Sequence, residues 1–265
     1  MKTRVSHYRI RIPERYDRPE RPFRAVFLSD QHDRDVLEDD SFMETLCKAD
    51  PEAVFCGGDM LTAGIRSMGE EKNALRLYEA LSERFKVYTV NGNHESRLKE
   101  HPSDYAVDYE DYLRKLESMG VVPVGGRREE VCLGGARMEI AGFELPLSSY
   151  NRMHPVMPDS SALTDDLGDR SPDVFTILLA HHPDAFPAYR EWGADLVLSG
   201  HIHGGLIVLP VLGGVAGGSL KPFPKYCRGS FEEGETRMIV SAGIGEHTKI
   251  LRINNPYEIV ILEFM

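Results

Sequence analysis

The chain has 265 residues, a formal net charge of −11, 42% hydrophobic residues and 28% charged ones. That composition excludes a disordered chain, a collagen-like repeat and a disulfide-stapled miniprotein, and the length suits one large α/β domain or two small ones. Net acidity argues against gripping nucleic acid chiefly through phosphates. The charge is uneven, however: residues 1–24 hold eight basic side chains against three acidic ones, so that segment carries +5 and the rest −16.

The basic start, Met1 to Tyr8, is followed by no apolar secretory core. The most apolar stretch begins at Leu206 and is too short to span a bilayer, being broken by Pro210 and four glycines. Cys47, Cys56, Cys132 and Cys227 form no C-x-x-C pair and no zinc-ribbon spacing. Cys56 reads as a small core hydrophobe, and the set points to a reducing compartment. The expectation is a cytoplasmic protein without a transmembrane segment; peripheral membrane contact stays open.

Residues 7–12 alternate apolar and basic, the period of a half-buried strand with Tyr8, Ile10 and Ile12 inward. Short apolar runs then end repeatedly in polar turns. Arg24–Leu28 leads into Ser29-Asp30-Gln31-His32, and Ala53–Cys56 into Gly57-Gly58-Asp59. Val87–Val90 leads into Asn91-Gly92-Asn93-His94-Glu95, and Phe175–Ala180 into His181-His182-Pro183. Asp195–Leu198 leads into Ser199-Gly200-His201-Ile202-His203. Runs of this kind suit strands buried on both faces. Helical faces lie between them: Phe42, Leu46 and Ala49; Ala74, Leu77, Tyr78, Leu81 and Phe85; and Tyr105, Tyr109, Tyr112, Leu113, Leu116 and Met119, the last closed by Gly120. After Gly120 the runs 121–124, 130–133 and 137–140 read as a β-meander turning at Gly134-Gly135, and residues 145–173 as a long surface loop with a short helix. Met238–Ser241 and Glu258–Phe264 supply two more strands. No linker or repeat divides the chain, so one domain over 1–265 is expected.

Ligands in α/β sheets bind beyond the carboxyl ends of strands, and five strands here end in metal-ligand residue types. The set is Asp30, His32, Asp59, Asn93, His181, His201 and His203, with His94 beside it. These donors are too many for one tetrahedral zinc site and suit two ions of higher coordination. Mixed imidazole and carboxylate ligands favour Mn, Fe, Zn or Ni, with manganese placed first, over Ca or Mg. Alternation along a strand would place the partners of Asp30-x-His32, and of His201-x-His203, on one face. Adjacent glycines would allow tight turns.

Asp30-x-His32, Gly58-Asp59, Gly92-Asn93-His94-Glu95, His181 and Gly200-His201-Ile202-His203 resemble, in order, the five motifs of the calcineurin-like metallophosphoesterase superfamily. Gly204-Gly205, Gly243-x-Gly245 and Asn255-Pro256-x-Glu258 are similar to the tail of its bacterial phosphodiesterase branch, whose members often carry a membrane or export segment that is not seen here. The resemblance implies a four-layer αββα sandwich of two mixed β-sheets flanked by helices. It also implies two divalent metal ions: Asp30, His32 and His203 on the first, Asn93, His181 and His201 on the second, and Asp59 bridging both. His94 is implied as the catalytic histidine assisting the leaving group while a metal-bridging hydroxide attacks phosphorus.

The expected activity is phosphodiester hydrolysis on a small phosphoester substrate, with no nucleic-acid partner and the oligomeric state left open. Alternatives are a pyrophosphatase on a lipid-linked nucleotide sugar, for which the segment 206–217 would be a greasy wall, a phosphoprotein phosphatase, and a non-catalytic metal-binding scaffold. Gly58-Asp59-Met60-Leu61-Thr62-Ala63-Gly64 lacks the Asp-Arg pair of the phosphoprotein class. His7, His101 and His154 read as surface residues, and His247 as a surface residue that a glycine turn could bring near the site. Glu95 reads equally as part of the motif or as a buttress of its turn.

Overall fold

Burial of apolar runs on both faces requires a layer on each side of a sheet, and the chain supplies two sheets and two helical layers. The computed structural model describes residues 3–63, 69–205, 207–209, 213–216, 224–246 and 252–265, with the side chains of 207–209 and 213–216 left out. In chain order the elements are β1 (Thr3–Ile10), β2 (Phe23–Leu28), α1 (Asp40–Ala49), β3 (Ala53–Cys56), α2 (Lys72–Ser82), β4 (Lys86–Thr89), α3 (Asn93–Glu100) and α4 (Tyr109–Ser118). There follow β5 (Val122–Pro123), β6 (Arg127–Leu133), β7 (Ala136–Gly142), α5 (Ser160–Leu167), β8 (Phe175–Leu179), α6 (Phe186–Trp192) and β9 (Leu196–Ser199). The chain closes with β10 (Ile207–Leu209), β11 (Gly213–Ala216), β12 (Gly229–Glu233), β13 (Thr236–Val240) and β14 (Tyr257–Phe264).

One sheet has the order β1-β14-β2-β3-β4-β5 and the other β12-β13-β9-β8-β7-β6. Both are mixed. In the first, β14 and β2 are antiparallel while β2, β3, β4 and β5 run parallel. In the second, β7, β8, β9 and β13 run parallel between two antiparallel edges. β10 and β11 form a separate antiparallel pair.

Alternation along each strand decides which layer a side chain joins. Ala25 and Phe27 of β2 face the other sheet, with Ile177, Leu179, Leu196 and Leu198 opposite. Val26 and Leu28 face outward onto Phe42, Leu46, Leu77 and Tyr112 of the helices. On the second sheet, Leu178 and Val197 face outward onto Leu163, Leu167, Phe186 and Tyr189. Phe23 and Phe264 stack between the sheets, ring centroids 4.7 Å apart. Cys56 is fully buried, and burial pushes its thiol up to about 12, so it behaves as a core hydrophobe. Among the described residues no helix is long and apolar enough to cross a membrane.

The structure departs from the sequence reading in the middle of the chain. Residues 121–140 do not form one meander. β5 completes the first sheet beside β4, and the chain then crosses at Gly125 to the second sheet, where β6 and β7 form a hairpin. Nothing in the alternation pattern distinguishes a turn within a sheet from a step between sheets. Residues 145–173 do hold the short helix expected there, α5, but it packs inward, burying Leu163 and Leu167 in the outer core. β12 has no counterpart in the sequence reading, and its alternating half-exposure marks it as an edge strand.

Candidate metal centre

β2, β3 and β4 of one sheet and β8 and β9 of the other point their carboxyl ends at one place. The ladder continues past the strands through Gly57 N–H to Leu28 O, Asp30 N–H to Gly58 O, His32 N–H to Asp59 O and Gly200 N–H to His181 O, at 2.8–3.0 Å. Side-chain alternation does not bring Asp30 with His32, or His201 with His203, onto one face. β2 ends at Leu28 and β9 at Ser199, and all four residues have left-handed backbone, with φ of 52°, 48°, 68° and 53°. Asp59 does too, at 54°. This region costs a non-glycine residue free energy and is found where the surrounding structure imposes it, often at functional sites. Gly92 illustrates the crowding: a Cβ there would stand 2.3 Å from Asp59 Oδ1.

Three interpenetrating groups hold ligand atoms within 4.8 Å of one another: Asp30, His32 and His203; His32, Asp59 and His94; and Asp59, His181 and His201. Asp59 Oδ2 stands 3.2 Å from His181 Nε2, 3.8 Å from His32 Nε2 and 4.0 Å from His94 Nε2. Asp30 Oδ1 stands 3.4 Å from His203 Nε2 and 3.7 Å from His181 Nε2. His32 Nε2 and His203 Nε2 face each other at 3.0 Å. His181 Nδ1 lies 2.6 Å from Gly57 O, so Nδ1 donates to that carbonyl and Nε2 is the nitrogen left to take a proton or a cation. That Nε2 is buried and has no hydrogen-bond partner among the described residues. A buried imidazole nitrogen aimed at carboxylates and lacking a hydrogen bond fits a cation, as does the meeting of His32 and His203. Asn93, at the first turn of α3, has its amide against His201 Nδ1 at 2.9 Å.

The same backbone that brings the ligands together also holds their carboxylates. His201 N–H donates to Asp30 Oδ1 at 2.9 Å, and His94 N–H donates to Asp59 Oδ1 at 2.8 Å. Glu95 is a buttress: its carboxylate accepts from the N–H groups of Asp59, Met60, Leu61 and Gly92. Burial and the nearby Asp59 push Glu95 up to about 7. Burial pushes Asp30 up to about 6, with His181 opposing. For Asp59, burial works upward, but His181, His94 and His32 hold it well below the usual carboxylate range. For His181, burial works downward, but Asp59, Asp30 and the Gly57 carbonyl push it up to about 9.

His182 is turned away from the cluster's centre. Its Nδ1 accepts from Asp184 N–H at 3.2 Å, capping the short turn Pro183–Ala185, and its ring packs against His201 at 4.4 Å. His7, His101 and His154 are exposed, while His247 and, within 206–217, residues 206, 210–212 and 217 lie outside the described residues. Sequence reading missed one support, Arg252, and gave Asn255 only as part of a tail motif with no role. Arg252, itself buried, donates to His203 Nδ1 at 2.9 Å and to Ala242 O at 2.8 Å. Asn255 donates to His203 O at 2.5 Å and Gly205 O at 2.7 Å. The Asn-Pro-x-Glu tail thus clamps the last histidine turn, and Glu258 accepts from Ala242 N–H beside it at 2.9 Å. Arg252 gave no signal, since an isolated arginine far along the chain has no pattern. Tyr150, from the supposed surface loop, brings its ring to 5.0 Å from that of His201.

A model of calcineurin-like phosphoesterases matches residues 23–205. The chain is 28% identical over 257 residues to YkuE of Bacillus subtilis, an uncharacterized metallophosphoesterase, covering 94% of this chain and 80% of YkuE. It is 27% identical over 254 residues to an uncharacterized metallophosphoesterase of Helicobacter pylori strain 26695, covering 94% of this chain and 61% of that protein. It is 32% identical over 94 residues to the phosphodiesterase YaeI of Escherichia coli, covering 34% of this chain and 32% of YaeI. The chain therefore spans about three fifths of the Helicobacter relative's length.

Proposed function

The chain belongs to the calcineurin-like phosphoesterase family, and we propose that it is a phosphodiesterase working through two divalent metal ions, manganese first among them. One observation carries the reading: Asp59 lies between two sets of ligand atoms, one containing His32 and the other His181 and His201, with Asp30 and His203 completing the first. Asp30, His32 and His203 would hold one ion, Asn93, His181 and His201 the other, and Asp59 both. When bound, such a pair supplies Lewis acidity and a water acidic enough to act as nucleophile near neutral pH. The name of YaeI supports the diester over other esters.

The chain's own residues set the proton chemistry. His94 Nδ1 accepts from Ala63 N–H at 2.8 Å, so the neutral ring carries its proton on Nε2. That Nε2 faces the cluster and is placed to donate to the leaving oxygen. Ala63 and Asp59 grip the ring and the backbone of the same residue, which fixes the direction of donation. Glu95 holds the Asp59 turn and the start of α3 in register, so ligand and donor move together.

The test is turnover of bis-p-nitrophenyl phosphate by purified protein with added manganese. His94→Ala is expected to lower kcat by about 10²–10⁴ with metal content retained, and Asp59→Asn to lower metal content as well. A folded, metal-loaded protein that hydrolyses no phosphoester overturns the reading.

A further inference from the structure

Where the chain crosses from the first sheet to the second, Gly125 and Gly126 leave room for two carboxylates. A Cβ on Gly125 would stand 1.9 Å from Glu144 Oε1, and one on Gly126 3.3 Å from Asp166 Oδ1. Beside them opens a groove of about 380 Å³ whose charged lining is Lys99, Glu100, Glu144 and Asp166. That volume is in the range of small-molecule sites, which begin at about 300 Å³.

The lining sets three carboxylates against one ammonium. Lys99 Nζ lies 3.1 Å from Glu144 Oε2, on a side chain that is half exposed, and exposed pairs of this kind contribute little. Asp166 and Glu100 pair with no cation among the described residues. Burial and the like charge of Glu144 push Asp166 up, with Lys99 opposing. Arg97, the nearest arginine on α3, is turned to Ala63 O at 3.2 Å and does not line the groove.

Acidic groups alone do not make a site, and Ser96 supplies a second observation. It is 5% exposed, lines the groove, and its hydroxyl makes no hydrogen bond to any described residue. A buried hydroxyl ordinarily finds a partner, and on a helix the carbonyl one turn back is at hand, as Ser41 O is for Thr45 at 2.7 Å. Ser96 instead keeps its oxygen open to the groove. It stands three residues after Asn93, on the same face of α3 and about 4.5 Å along the axis. Pro146, also in the lining, leads into the turn Leu147–Tyr150, whose last ring packs 5.0 Å from that of His201. Both walls therefore lead to the cluster of Asp and His side chains.

Carboxylates and an unengaged hydroxyl oxygen accept, so the matching ligand is a donor with positive charge, and an ammonium is that group. A bare ion would leave most of the groove empty, whereas an amine on a short carbon chain also covers Leu145 and Pro146. We propose that the groove is a leaving-group subsite for an organic ammonium, so that the preferred substrates are zwitterionic phosphodiesters with the amine held by Glu144, Asp166 and Ser96. The inference rests on the phosphodiesterase reading above and names its substrate class. With the phosphoryl group at the Asp/His cluster and the amine in the groove, the substrate has one orientation, and that fixes which ester oxygen leaves. A water oxygen bonds to phosphorus and the bond from phosphorus to the amino-alcohol oxygen breaks. That oxygen takes the His94 Nε2 proton, and the proton lost by the water restores it. The products are an amino alcohol and a phosphomonoester.

The experiment compares glycerophosphoethanolamine with its N-acetyl derivative, which lacks the charge, on manganese-loaded protein. Wild type is expected to favour the amine by about tenfold or more in kcat/KM, as charged hydrogen bonds allow, and to release ethanolamine and glycerol phosphate. Asp166→Asn and Glu144→Gln are each expected to lower that preference and together to abolish it, while turnover of bis-p-nitrophenyl phosphate, which carries no cation, changes far less. Asp166 is exposed, so Asp166→Asn reads binding apart from folding. Equal rates on both forms, release of glycerol in place of ethanolamine, or a preference that survives the double substitution would each overturn the proposal. So would a third manganese ion per chain that the double variant loses, which would make the groove a metal site. Metal-loaded wild type that cleaves no phosphodiester overturns the phosphodiesterase reading itself, whereas cleavage without amine preference overturns the subsite alone.

Discussion

Asp59 and His181 form a buried pair, and under the proposed function a proton and a metal ion compete for His181 Nε2. His181 is raised from 6.5 to about 9. A raised histidine contributes stability that is fully present below its unfolded value and is lost as pH climbs through its folded one. The metal-free protein is therefore expected to lose up to about 3 kcal/mol between pH 6.5 and 9, read as a falling Tm in chelator, and His181→Gln is expected to flatten that slope. Metal binding must remove the same proton, so manganese affinity should rise over the same interval. Affinity that is flat from pH 6.5 to 9 would show that His181 does not ligate through Nε2.

The elements carry two different loads. α1 serves packing alone: its N-cap Asp39 accepts from Ser41 N–H, and Phe42, Leu46 and Ala49 bury one face. Leu46→Ala is expected to cost about 2–5 kcal/mol in urea unfolding while KM and metal content stay put. The turn after β9 carries two of the proposed ligands and is held by the C-terminal segment. Asn255→Ala removes the donor to His203 O and Gly205 O and is expected to cost about 1–3 kcal/mol. Unlike Leu46→Ala it should also lower metal content, because the carbonyl it frees belongs to a ligand residue. Retention of full metal content in Asn255→Ala would mean the turn holds itself.

At the scale of the whole molecule, the proposed metal centre joins the two sheets. Asp30, His32, Asp59 and Asn93 follow β2, β3 and β4 in one sheet, while His181, His201 and His203 follow β8 and β9 in the other. Ions that bind only the folded chain stabilise it by mass action, about 2.7 kcal/mol at a hundred times Kd. Chelation of the loaded protein should therefore lower Tm by about 5–10 °C. It should also raise hydrogen exchange in the turns after both sets of strands. Exchange confined to one sheet would argue against a centre shared between them.

Much of this was legible in sequence, for a physical reason. Strands buried on both faces must be apolar throughout, so the polar turn that ends each one stands out, and the ligand types collect there. Helical faces such as Ala74, Leu77, Tyr78 and Leu81 were equally plain, because a period of 3.6 can be read locally. The step from β5 to β6 between sheets was not, since alternation looks the same whichever sheet a strand joins. Nor was the means by which Asp30 and His32 converge, because left-handed backbone at a non-glycine residue is imposed by packing and carries no signature of its own. Arg252 marks the same limit. The sequence by itself determined the ligand types, their order and the layers that bury the strands. Only the tertiary structure decided which buried cations stand beside them, because such neighbours come from distant stretches of chain and are selected by contact alone.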